Sequence, residues 1–108
     1  METTGNQLSE LLNRCAAVCD HCAAACLQEQ EVAHLADCIR TDMACASVCR
    51  TTAQLLELGI GEQNALLLCA EVCKLCADEC SKHAHDHCRA CAEICNECAV
   101  ECGQSAVA

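Results

Sequence analysis

Sixteen of the 108 residues are cysteine, and their spacing is regular. Cys15, Cys19, Cys22 and Cys26 follow one another at steps of 4, 3 and 4. The same steps return in Cys69, Cys73, Cys76, Cys80 and in Cys91, Cys95, Cys98, Cys102. A fourth copy runs Cys38, Asp42, Cys45, Cys49, with Asp in the second place. Side chains at i and i+4 of a helix are neighbours. Each Cys-x3-Cys pair can therefore set two sulfurs about one ion. Seven such pairs exist, and only Cys38 and Cys88 stand outside them.

Thiolates suit Cu(I), Zn(II) and iron–sulfur clusters. Charge separates the three. Tetrahedral zinc would take four thiolates per ion and leave two negative charges on each site. Burying such charges in a helical core is costly. One Cu⁺ cancels one thiolate, so near one-to-one loading leaves an almost neutral interior. An unbroken 4, 3, 4 ladder is also a poor match to the loop-borne cysteines of ferredoxins. Two other uses of the thiols stay open beside Cu(I): a zinc-thiolate buffer, and a disulfide-stapled helical interaction module. Inert burial accounts for one or two small thiols but not for sixteen.

The elements that must carry these residues follow from the same steps. Alternation of 3 and 4 is the seam of a helix facing partner helices. Leu8 and Leu12 continue the first stripe backwards, Leu35 the second and Leu66 the third; Thr52, Leu56 and His83 continue stripes forwards. The spacing predicts four helices, over 6–28, 32–57, 62–82 and 87–103, in one domain spanning 1–108. Gly59 suits a left-handed helix stop, and Asp86 is expected to N-cap the last helix. Short connections make an antiparallel up-down-up-down four-helix bundle with a Cys-lined core, all-α in class. Its ends differ. One gathers Leu8, Leu12, Leu55, Leu56, Ile60, Leu66 and Leu67 as an apolar plug. The other gathers Cys26, Cys38, Cys80, Cys88, His34, His83, His85 and His87 as a polar mouth.

Composition removes other classes. The chain has no Phe, Trp, Tyr or Pro and a formal net charge of −10, which argues against nucleic-acid binding. No apolar run is long enough to span a membrane. The start, Met1 to Asn6, has neither a basic nor an apolar signal region, so a reducing, cytoplasmic setting is expected. There thiols are read as metal ligands before disulfides. No pattern singles out one reactive pair, and an enzyme is not expected.

The four Cys-lined stripes, with their repeated Cys-x3-Cys-x2-Cys-x3-Cys, resemble those of the bacterial copper storage proteins, over about Leu8 to Cys102. The resemblance implies a four-helix bundle that sequesters many Cu(I) ions inside, on its cytosolic branch, associating as a homotetramer. It maps the family's core ligands onto Cys15, Cys19, Cys22, Cys26, Cys38, Cys45, Cys49, Cys69, Cys73, Cys76, Cys80, Cys88, Cys91, Cys95, Cys98 and Cys102. Asp42 departs from it. His83, in phase with the third stripe, is expected at the mouth as the histidine that admits copper. Met43 lies about 140° around the helix from Cys38, so it is expected on an outer surface. A copper chaperone or a small thiol chelator is the expected partner for exchange.

Overall fold

The computed structural model describes residues 5–108, with side chains from residue 7 onward. Four helices account for most of it: α1 (Gly5–Cys26), α2 (Ala36–Leu58), α3 (Glu62–Cys80) and α4 (Asp86–Val107). Among the described residues there is no strand. Each helix packs chiefly on its two neighbours in the ring α1–α2–α3–α4–α1. With short connections between them, this is the up-down-up-down bundle, about 43 Å long by 23 × 18 Å.

The helix ends differ from expectation in instructive ways. α1 stops at Cys26, two residues early, and 27–31 form turns. The expected single helix over 32–57 begins instead with a 3-10 turn, Val32–Leu35. Leu35, at φ −101° and ψ 5°, is the joint where the chain changes winding into α2. Asp86 does not cap α4; it is the first helical residue, and the extended residue before it is His85. α4 runs on past Gly103 to Val107, because Ala106 is buried and its carbonyl accepts a hydrogen bond from Gln63 Nε2 at 3.1 Å.

Gly59 does take the left-handed conformation, at φ 69°. Its N–H bonds to the Leu56 carbonyl and that of Ile60 bonds to Leu55, which closes a Schellman motif. Gly61, at φ 61°, turns the chain into α3.

The stripes all face inward. All sixteen cysteines are fully buried; in the second stripe Asp42 sits between thiols and Thr52 follows the last of them, both buried as well. Ala16, Ala46, Ala53 and Ala77 flank the thiols and let the helices approach closely. At the end away from the histidines, Leu8, Leu11, Leu12 and Leu66 close the core. The expected plug is thus partly corrected. Leu55 and Leu56 are half-buried, whereas Ile60 and Leu67 are exposed. Ile60 follows the Schellman turn out of the bundle, and Leu67 is one step off the α3 stripe.

Candidate metal centre

The stripes meet along the bundle axis as a continuous column of sulfur. Five Cys-x3-Cys pairs have sulfurs within 4.0 Å: Cys22/Cys26, Cys45/Cys49, Cys69/Cys73, Cys76/Cys80 and Cys91/Cys95. Contacts between helices are as close. Cys38 and Cys80 are 3.3 Å apart; Cys19/Cys95, Cys45/Cys73 and Cys49/Cys73 each stand at 3.6 Å. Ligand atoms gather into groups of four, all within 4.8 Å of one another. From the mouth inward these include Cys22/Cys26/His87/Cys88, Cys22/Asp42/Cys80/Cys91, Cys19/Cys76/Cys91/Cys95, Cys15/Cys19/Cys45/Cys95 and Cys15/Cys45/Cys49/Cys73. Adjacent groups share a sulfur, so the groups interlock. Beyond them Cys69, Cys98 and Cys102 continue the column and interact with one another.

Burial opposes ionisation along the column, while hydrogen bonds between thiols lower some of them and raise others. Burial pushes the Cys26 thiol up to about 11 and also raises Cys88. Deeper in, thiols take turns as donor and acceptor. The hydrogen bond from Cys102 lowers Cys98 to about 6, whereas the bonds with Cys69 and Cys98 raise Cys102. A few thiolates can be held by neighbouring S–H groups, but sixteen cannot.

Asp42 is built into this column. Its Oδ1 accepts hydrogen bonds from Cys76, Cys80 and Cys91 at 3.3, 3.3 and 3.1 Å, and Cys38 reaches Oδ2 at 3.8 Å. Burial raises its carboxyl to about 9, so it is protonated at neutral pH. The cysteine spacing marked the position, but the residue alone did not say whether the carboxyl lay on the rim or inside.

The histidines sort themselves differently from expectation. His83 is partly buried, yet its Nε2 pairs with Glu79 at 3.1 Å, and its ring lines an outer groove with Arg89 and Glu93. The ring that meets thiols is His87. Its Nδ1 lies 3.5 Å from Cys22 and Cys88 and 3.8 Å from Cys26. Burial pulls this imidazole down, but its hydrogen bonds with Cys22 and Glu29 outweigh burial and hold it above the ordinary range. Counting on from Cys80 misses His87, because the turn before α4 breaks that phase, whereas counting back four from Cys91 within α4 reaches it. The adjacent Cys88 was a second clue. His85 is braced between Glu29 and Glu31 and stacks on His87, with ring centroids 5.2 Å apart. His21 and His34 are exposed, as is Met43, which fits the outer placement expected of it.

The family model described as copper storage protein matches residues 1–107. The chain belongs to the copper storage protein family. Among solved structures, a cytosolic copper storage protein from Streptomyces lividans, carrying five coppers, is 44% identical. That likeness covers 96% of this chain and 92% of the other, with a TM-score of 0.92. The Cu(I)-bound copper storage protein BsCsp3 is 37% identical, covering 94% of this chain and 96% of the other, with a TM-score of 0.90. The cysteine-rich protein YhjQ of Bacillus subtilis (strain 168) is 37% identical over 91 residues, 83% of this chain and 84% of its own length. No helix among the described residues is long and apolar enough to cross a membrane.

Proposed function

We propose that the chain stores Cu(I) in its thiol column, with all sixteen cysteines as ligands and Asp42 and His87 completing the groups nearest the mouth. The observation that carries this reading is the interlocking of the four-atom groups. A copper held by Cys22, for example, can be handed to Cys91 and then to Cys95 without leaving sulfur. The column suits an ion that accepts two or three soft ligands and bridges between them, rather than one that requires a closed tetrahedron. The role is sequestration rather than catalysis, since no single thiol pair is set apart as reactive.

Copper enters at the mouth, where Cys26, Cys88 and His87 lie beside the 27–31 and 81–85 turns, and moves inward along the sulfurs. His87 takes the place at the mouth first expected of His83, which is engaged with Glu79. A copper chaperone or a small thiol chelator delivers and removes the ions. The cytosol is the compartment in which the thiols stay reduced, as for the S. lividans protein described as cytosolic. The single domain 1–108 assembles as a homotetramer. Leu68 and Leu75, seven residues apart on α3 and half exposed, support an apolar contact face. Leu68 also lines a groove with Val48 and Leu55 of α2.

Anaerobic Cu(I) titration against a chromophoric chelator tests the reading. Charge matching to sixteen thiols predicts on the order of ten to twenty Cu(I) per chain. Saturation near four ions would favour the zinc-like alternative. Size-exclusion chromatography with light scattering measures the assembly.

A further inference from the structure

His87 has two nitrogens, and they face different chemistry. Nδ1 looks into the sulfurs of Cys22, Cys26 and Cys88. Nε2 stands 2.9 Å from Oε2 of Glu29, in the turn that follows α1. A neutral imidazole carries one N–H, and a carboxylate can only accept it. We propose that Glu29 is a positioning residue for copper admission. By accepting the Nε2–H of His87, it keeps the ring in the tautomer whose Nδ1 lone pair faces the mouth thiols. This rests on the reading of His87 as a mouth ligand. Carboxylates behind metal-binding histidines act in this way, fixing tautomer and ring orientation together.

Glu29 is itself held in place. Its Oε2 also lies 3.1 Å from Nδ1 of His85, whose Nε2 is 2.7 Å from Oε1 of Glu31. The His85 ring lies parallel to that of His87, at 5°. Two carboxylates from the turn after α1 thus grip two rings at the start of α4. Without Glu29, Nε2 faces solvent and nothing selects its protonation. The alternative tautomer, with a proton on Nδ1 donated to a thiolate, blocks the lone pair that copper needs.

The test compares the parent with Glu29→Ala, Glu29→Gln and His87→Ala. In ¹⁵N-labelled apo protein, at a pH where the ring is neutral, the parent shows a protonated Nε2 and a bare Nδ1 for His87. The Gln variant keeps that pattern, because its amide oxygen accepts the same hydrogen bond, and the Ala variant mixes the two tautomers. In stopped-flow uptake from a chelated Cu(I) donor, Glu29→Ala slows the first phase about 10-fold. Its final capacity is unchanged, and Glu29→Gln stays close to the parent. An unmixed tautomer in Glu29→Ala overturns the proposal. So does a Gln variant as slow as the Ala one, which would point to carboxylate charge instead. Normal uptake by Glu29→Ala beside slow uptake by His87→Ala removes Glu29 and leaves His87 standing. Normal uptake by His87→Ala removes the reading beneath both.

Discussion

Asp42 occupies a place that the cysteine steps reserve for a thiol, and burial holds its carboxyl near 9 instead of 3.8. The folded state therefore binds a proton that the unfolded chain has lost between those two values. The stabilisation that the protonated carboxyl offers is complete below about pH 4 and is lost as pH rises through about 9. Asp42→Asn keeps the shape and removes the titration. Its apo form is expected to melt above the parent at pH 8, with the gap closing towards pH 4; thermal unfolding of the reduced apo proteins across that range checks it. His83 and His87 give a second contrast. His87→Ala should slow copper uptake, while His83→Ala, which loses only a partner of Glu79, should take up copper at the parent rate in the same stopped-flow measurement. Both residues mark where reading the chain stops. Spacing placed Asp42 among the thiols but could not tell a buried acid from a rim carboxylate, since that depends on three other helices. His83 kept phase with its stripe and so attracted the mouth role. His87 lay across a turn from Cys80, where the α3 phase carries no information, and only the α4 phase, four residues back from Cys91, reaches it.

Whole helices were more legible than single side chains. Four stripes of thiols, three continued in step by Leu or Thr and the last by Cys88, fixed which face of every helix turns inward, and Gly59 marked the one sharp stop. What escaped was the 3-10 entrance to α2 and the length of α4. Both are decided by packing at the ends, as at Leu35 and Ala106, rather than by residue type. The caps can be tested one at a time. Gly59→Ala places a Cβ in the left-handed region and should cost about 1–2 kcal/mol, read from the denaturation midpoint of the apo protein. Leu12→Ala, at a fully buried site of the closed end, should cost about 2–5 kcal/mol. Copper capacity should be kept in both variants, because neither residue is a ligand. A matching fall in capacity would place copper in the closed end and contradict the plug.

Taken whole, the molecule has a core of small polarisable groups under a surface of net charge −10. The bundle is specified by its stripes and its Leu-closed end, so the metal-free chain should already be strongly helical by circular dichroism. A coil-like spectrum would mean that folding waits for metal. Because most buried thiols stay protonated, loading should release about one proton per Cu(I), measurable by pH-stat during anaerobic titration. A value near zero would mean that the core is already ionised. The closed end carries a further consequence. Because Leu8, Leu12 and Leu66 seal one end, the column on the proposed route is a cul-de-sac, and position in it records order of arrival. Ions that come first travel furthest from the door, and those that come last remain beside it. Such a vessel keeps time: filled with one copper isotope and topped up with another, it should surrender the later isotope first to an external chelator.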